Sequence, residues 1–102
     1  MTIPVNERRL EEPLLTELLA DLDGWTCEGD VITKTYVLKG WKTALAFVAR
    51  VGEAATALDH HPDIHIERYK TVRIVSTTHI TKGLSQADID LAKAIDRIAA
   101  PS

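Results

Sequence analysis

One long amphipathic segment in the middle of the chain most constrains how it can fold. Between Trp41 and Asp59 the apolar residues recur every three or four positions and form a wide stripe. Pro62 follows closely, and the residue before a proline avoids the helical region, so the predicted helix ends there. A helix of this length can cross a sheet, and its apolar stripe requires a partner surface.

Pairs of β-prone segments lie on both sides of this helix, with turn residues between the members of each pair. The predicted elements are helices over residues 13–22, 41–59 and 86–99 and strands over residues 25–27, 31–38, 64–66 and 69–78. The order α-β-β-α-β-β-α predicts an α+β fold with one four-stranded, mainly antiparallel sheet and helices on one face.

The length of 102 residues leaves room for one core. We predict a flexible arm over residues 1–10 and a single domain over residues 11–102. A net charge of −3 argues against binding to nucleic acid or an anionic membrane, and no apolar run is long enough for a membrane span. The first residues lack a signal-peptide pattern, and Cys27 is the only cysteine, so we expect a cytoplasmic protein.

All four histidines lie within twenty residues of one another, and three of them stand at the ends of predicted elements. His60 and His61 follow the long helix, His79 ends the last strand, and Asp88 lies in the first turn of the last helix. Histidine is the side chain that most readily gives or takes a proton near neutral pH. If the end of the helix and the end of the strand meet at one rim, these residues form a cleft suited to acid–base chemistry.

The same residues also have purely structural explanations. Ser85 and Asp88 have the spacing of a capping box, and the loss of such a cap costs about 1 kcal/mol. His60 and His61 could be exposed residues at the negative end of a helix dipole. His79 could cap a turn.

A metal site is a further alternative for the histidines. His61 and His65 are four residues apart, as in helical zinc pairs, but Pro62 intervenes and the two rings need not share a face. Cys27 has no second cysteine near it. The chain also lacks a Gly-x-Ser-x-Gly motif and a glycine-rich phosphate loop. We therefore predict neither a metal nor a cofactor.

The spacing of these residues along the chain carries a family resemblance. Residues 60–62 (His-His-Pro) are followed after six residues by Tyr69, after nine more by His79, and then by Asp88. Residues 83–85 (Gly-Leu-Ser) form a matching entry to the last helix. In these features the chain resembles the pterin-4a-carbinolamine dehydratase family over nearly its whole length.

The resemblance implies both a fold and a reaction. The fold is the same α+β domain, assembled into homodimers by sheet extension and into tetramers through helices. The reaction is the loss of water from a 4a-hydroxytetrahydropterin to give the quinonoid dihydropterin, a lyase reaction that needs no metal.

The resemblance also implies roles for individual residues. The implied catalytic residues are His60, His61, His79 and Asp88, and the implied substrate-binding residues are Pro62, Tyr69 and Thr78. The three histidines would serve as acid, base and pterin-positioning group, in an order that the sequence leaves open. Asp88 would orient a histidine or stabilise its charged form.

Two departures from the family pattern support a different function. Thr56 stands four residues before His60, where the family usually has a carboxylate or a comparable polar group. The six-residue spacing between Pro62 and Tyr69 resembles a subgroup that includes RuBisCO assembly factors. The alternative is therefore a non-catalytic, carboxysome-associated assembly factor with RuBisCO subunits as partners.

Overall fold

A computed structural model describes residues 3–100 and shows four strands in one antiparallel sheet, with helices on one face. The helices are α1 (Leu14–Ala20), α2 (Trp41–Leu58) and α3 (Gln86–Ala99), and the strands are β1 (Thr26–Glu28), β2 (Val31–Val37), β3 (Asp63–Glu67) and β4 (Thr71–Ser76). The strand order is β1-β2-β4-β3. The predicted α+β class and element order are thus confirmed. None of the helices within residues 3–100 combines the length and the apolar character that a membrane crossing requires.

The turn between β3 and β4 differs from the sequence prediction. Arg68 and Tyr69 have positive φ angles of 49° and 54°, and Glu67 pairs with Thr71 across the hairpin. The predicted strand over residues 69–78 therefore begins only at Thr71, since a left-handed backbone cannot continue a strand. Tyr69 lies in the hairpin loop, where 58% of its surface is exposed.

The core lies between the sheet and the helices. On β2 and β4 every second side chain points towards the helices, and Ile32, Val72 and Ile74 are fully buried there. From the helices, α2 contributes Val51 and α3 contributes Ile95 to the same cluster. Each fully buried aliphatic side chain stabilises the fold by about 1.5–3 kcal/mol. The long apolar stripe thus has the partner surface that its pattern requires.

The opposite face of the sheet is more open. Thr35 and Val37 on β2 and His65 on β3 are exposed there. His65 pairs with Arg73 across the β3–β4 ladder, on the side away from Ile64 and Ile66, which pack on the core. The fourth histidine is therefore separated by the sheet from the helical layer.

The segment before α1 runs along the loop that precedes α3. Residues Val5–Glu7 form a 3₁₀ turn, which we call the N-terminal turn, and it packs against α3. Arg9 forms a β-bridge with Ser85, and the Leu10 amide donates to the Leu84 carbonyl at 2.7 Å. Residues 5–10 therefore have defined contacts, while the flexibility predicted for residues 1–10 stays a prediction.

A carboxylate on α3 ties the helical layer to the first hairpin. Asp96 accepts hydrogen bonds from Trp25 Nε1 at 3.0 Å, Lys34 Nζ at 2.8 Å and the Tyr36 hydroxyl at 2.6 Å. Burial, together with the hydrogen bond to Asp96, raises the pKa of Tyr36 well above its ordinary value, so its hydroxyl stays a donor. One donor just before β1 and two donors on β2 thus converge on one acceptor.

We expect the Asp96→Ala substitution to lower the free energy of unfolding by about 2–3 kcal/mol, because it leaves several part-buried donors without an acceptor. Tyr36→Phe removes only one of the three hydrogen bonds and should cost about 1 kcal/mol. Urea unfolding followed by circular dichroism measures both. Arg97→Ala, at the neighbouring exposed position, is the control and should change stability by less than about 0.5 kcal/mol. An Asp96→Ala value equal to this control would contradict the structural role of the cluster.

Candidate active site

The end of α2, the turn after β4 and the start of α3 meet at one rim of the sheet and bring the predicted residues together. The helix α2 ends with Asp59 in the left-handed region (φ 52°), and the His60 amide donates back to the Ala55 carbonyl at 3.0 Å. This type of helix end turns the chain sharply, so that His60 points under the sheet rim. A 3₁₀ turn after β4 (His79–Thr81) and the first turn of α3, which carries Asp88, reach the same place.

Asp88 lies at the centre of this rim and is fully buried. Its Oδ1 accepts hydrogen bonds from His60 Nε2 at 2.7 Å and Ser76 Oγ at 2.5 Å. Its Oδ2 accepts hydrogen bonds from Thr78 Oγ1 at 2.7 Å and the Ser85 amide at 3.0 Å. The bond to Ser85 completes the predicted capping box, which the structure confirms. With four donors on two oxygens, Asp88 acts through its neighbours rather than on a ligand.

The electrostatics of this network favour a charged pair. The hydrogen bond to Asp88 raises the pKa of His60 above its ordinary 6.5 and outweighs the opposing effect of burial. Burial alone would raise the pKa of Asp88, but the hydrogen bonds from His60, Ser76, Thr78 and the Ser85 backbone lower it below 3.8. Both shifts favour the pair of an imidazolium and a carboxylate over the neutral pair.

His61 and His79 differ from His60 in being exposed to solvent. Both line a cleft of about 270 Å³, whose wall consists of Glu7, Asp59, His60, His61, Thr77, Thr78, His79 and Ile80. The three histidines of the cleft wall thus divide into one that is buried and two that are exposed. Two exposed imidazoles in one cleft can serve as a proton donor and a proton acceptor.

The remaining predicted residues lie at different distances from this cleft. Thr78 lines it, but its hydroxyl is bound to Asp88. Pro62 follows His61 and is half-buried. Tyr69 lies at the far end of the β3–β4 hairpin, a separation of roughly 17 Å along five strand residues. Within this chain, Tyr69 is therefore not brought to the histidines.

Sequence reasoning missed Ser76 in the network around Asp88, and it missed Glu7, Asp59, Thr77 and Ile80 in the cleft wall. Ser76 occupies a core-facing position of β4 after Val72 and Ile74, and a polar residue in such a position is a recognisable sign of a buried hydrogen bond. Glu7 belongs to the N-terminal turn and reaches the cleft from the other end of the chain. No local pattern in the sequence indicates that contact.

Thr56 contributes no group to the cleft wall. Its side chain is exposed, and its hydroxyl donates to the Gly52 carbonyl of the same helix at 2.9 Å. The Thr56 hydroxyl is therefore used in a hydrogen bond to the backbone of its own helix.

The predicted metal alternative has no support from the geometry. Among residues 3–100, no three histidine, cysteine or carboxylate side chains lie close enough to hold a metal ion together. His61 opens into the cleft, whereas His65 lies on the open face of the sheet.

A larger groove of about 420 Å³ lies elsewhere, between α2 and α3. Its wall consists of Ala54, Ala57, Leu58, Asp90, Lys93, Ala94 and Arg97. These residues include no histidine and none of the network around Asp88. The histidine cleft is therefore the better candidate for proton transfer, although it is smaller.

Comparison with known sequences gives a consistent result. The family model described as "Pterin 4 alpha carbinolamine dehydratase" matches residues 8–98. A candidate pterin-4-alpha-carbinolamine dehydratase of Thermomicrobium roseum is 42% identical over 91 residues, covering 89% of this chain and 97% of that protein. A protein of the same name from a Roseiflexus species is 47% identical over 90 residues, covering 88% and 96%.

Two solved structures resemble this fold. A protein of Brucella melitensis described as a transcriptional coactivator/pterin dehydratase has a TM-score of 0.85 and 34% identity, covering 91% of this chain and all of that chain. A pterin dehydratase-like protein identified as a RuBisCO assembly factor of the alpha-carboxysome has a TM-score of 0.62 and 16% identity, covering 76% and 89%. The second similarity shows a shared fold alone.

We expect Asp88→Ala to lower the free energy of unfolding by about 3–5 kcal/mol, because it leaves a buried histidine without its carboxylate. A helix cap alone would account for only about 1 kcal/mol. Asp90→Ala is the matched control in the same helix, because within residues 3–100 the Asp90 carboxylate accepts a side-chain hydrogen bond from Gln86 alone. Urea unfolding at pH 6 measures both variants. A loss near 1 kcal/mol for Asp88→Ala would mean that the residue only caps its helix.

The His60–Asp88 pair also predicts how stability depends on pH. The folded-state pKa of His60 is raised, so its contribution is complete below about pH 6.5 and is lost as the pH rises through the folded value. The folded-state pKa of Asp88 is lowered, so its contribution is complete above about pH 3.8 and is lost as the pH falls. In His60→Gln the alkaline loss should disappear, as urea midpoints between pH 5 and about 9 would show. His61→Gln should keep the wild-type slope, and a His60→Gln slope equal to wild type would refute the pairing.

Proposed function

Because the chain belongs to the pterin 4-alpha-carbinolamine dehydratase family, we propose that it dehydrates a 4a-hydroxytetrahydropterin to the quinonoid dihydropterin. The observation that carries this proposal is the pair of exposed imidazoles, His61 and His79, in one cleft. The hydrogen bond between the buried residues His60 and Asp88 holds the part of the cleft wall that lies next to His61.

The chemistry needs one acid and one base. The bond between C4a and the hydroxyl oxygen breaks, and the hydroxyl leaves as water after it receives a proton. The proton on N5 is removed, and its bonding electrons form the double bond between N5 and C4a. Atoms and charge balance without any oxidant or reductant, so one side chain that donates a proton and one that accepts a proton are sufficient.

We assign the two proton transfers to His61 and His79, in an order that kinetics must decide. His60 is buried and bound to Asp88, so we assign it a positioning role. Its ring fixes the end of α2, and His61 is the next residue in the chain. A positioned histidine contributes about 10²–10⁴-fold to a proton-transfer step.

The alternative function, as a RuBisCO assembly factor, has weaker support. It depends on Thr56, on the spacing before Tyr69 and on a structural similarity at 16% identity. The two exposed histidines in one cleft are explained by proton transfer, whereas the assembly-factor alternative assigns them no specific contact. Carboxysome association and RuBisCO subunits as partners therefore belong to this second proposal.

The oligomeric state is a further proposal. The strands β1 and β3 form the two edges of the sheet, so either could pair with a second copy of the chain. A homodimer through a sheet edge, or a tetramer that also uses helices, is the assembly that the family resemblance implies. Either assembly would hide backbone groups that an edge strand leaves unpaired.

A direct assay tests the enzymatic proposal. The 4a-hydroxytetrahydropterin is generated in the assay, and its dehydration is followed by absorbance against the spontaneous rate. We expect clear acceleration by the wild-type protein and a loss of about 10²-fold or more in His61→Ala and in His79→Ala. The matched control is His65→Ala, which removes the fourth histidine, on the open face of the sheet.

Circular dichroism confirms that each variant is folded before it is assayed. A wild-type rate equal to the spontaneous rate would refute the enzymatic proposal. Binding to purified RuBisCO subunits would then be the next measurement. An equal loss of activity in His65→Ala would mean that the assignment to the cleft is wrong.

A further inference from the structure

The cleft wall contains carboxylates to which the proposed proton transfers assign no role. Three carboxylates lie in or behind its wall: Glu7, Asp59 and Asp88. Asp88 is fully buried, and four donors already occupy its two oxygens. Asp59 is exposed at the end of α2, whereas Glu7 is half-buried. Because Glu7 is the less exposed of the two residues and lines the cleft, it is the stronger candidate for a ligand contact.

The position of Glu7 is fixed by several contacts around it. The Glu7 amide donates to the Pro4 carbonyl at 2.9 Å, which closes the N-terminal turn. That turn packs against α3, and the bridge between Arg9 and Ser85 holds the following residues against the entry to the same helix. Glu7 is therefore attached to the element that also carries Asp88.

The carboxylate of Glu7 is available to a ligand. Within the part of the chain that the structure describes, its side chain forms neither a hydrogen bond nor an ion pair. Its charge contributes to the raised pKa of His60, which agrees with its place in the cleft wall. A carboxylate in the cleft wall without donors from the protein can accept hydrogen bonds from a ligand that presents paired N–H groups.

A pterin has a matching pair of donors. The N3–H group and the 2-amino group lie side by side on its pyrimidinone ring and point in the same direction. A carboxylate accepts two parallel N–H donors in this geometry, as it does from an arginine side chain. This edge lies on the opposite side of the pyrimidinone ring from C4a, so a carboxylate there would orient the ring without touching the reacting bond.

We propose that Glu7 binds the N3–H and 2-amino edge of the pterin and thereby selects 2-amino pteridines. This inference rests on the proposed function and deepens it. Glu7 then contributes to substrate binding and orientation, while His61 and His79 transfer the protons. The N-terminal turn becomes part of the binding site.

The test compares two ligands and two variants. The ligands are 7,8-dihydropterin and 7,8-dihydrolumazine, in which a 2-oxo group replaces the 2-amino group. Calorimetry should show that the wild-type protein prefers the pterin by about tenfold or more, because the oxo group cannot donate to the carboxylate. In Glu7→Gln the preference should fall below about threefold, since the amide is neutral and offers only one oxygen.

Kinetics give an independent result on the same variants. Glu7→Gln should raise KM for the 4a-hydroxytetrahydropterin by about tenfold and change kcat by less than about threefold. Glu7→Asp keeps the charge on a shorter side chain and should retain part of the ligand preference. Glu11→Gln, on the same segment but outside the cleft wall, is the control and should behave like wild type.

The outcomes separate this inference from the function on which it rests. If the wild-type protein binds neither ligand and does not accelerate dehydration, the proposed function fails. If it accelerates dehydration but Glu7→Gln keeps the tenfold ligand preference, the role of Glu7 is wrong and the function stands. A loss of kcat at constant KM would also overturn the inference, because it would place Glu7 in the proton transfers instead.

Discussion

The structure depends on one buried carboxylate. Asp88 is joined through its four hydrogen bonds to the end of α2, to β4, to the loop after it and to the start of its own helix. Removing an ionised carboxylate from water costs several kcal/mol unless nearby donors replace the water molecules. The four elements must therefore meet in one arrangement, and the rim that they form is the wall of the histidine cleft. The hydrogen bonds of Asp88 therefore contribute both to the stability of the fold and to the geometry of the cleft.

The network also divides the histidines into two roles. His60 is buried against Asp88, and the hydrogen bond between them raises the pKa of His60. His61, its neighbour in the chain, points into the cleft together with His79. A side chain that is locked by packing fixes the backbone on both sides of it. The buried His60 therefore helps to hold the exposed imidazole of His61 in place.

Local patterns were sufficient for the element order and for the cap of α3. The helical stripe of α2 and the Ser85–Asp88 spacing are both read within a few residues of sequence, and both are confirmed. The loop at Tyr69 was not predictable in this way, because Arg68 and Tyr69 adopt positive φ angles without the glycine or asparagine that usually marks them. The division among the histidines depends on which side chains the tertiary fold buries. The contact of Glu7 with the cleft joins residues more than fifty positions apart, which no local pattern can indicate.

The structure changes what the threonine at position 56 implies about function. In the sequence, a threonine at a position where the family usually has a carboxylate favours a protein that has lost its chemistry. In the structure, the Thr56 hydroxyl binds the Gly52 carbonyl, while Glu7 brings a carboxylate to the cleft from the N-terminal turn. A cleft can receive the same chemical group from a different element, since function resides in the assembled site and not in one sequence position. The Thr56 side chain lines no part of the cleft, and the two imidazoles to which we assign the proton transfers are exposed in it, so the substitution leaves both transferring groups in place.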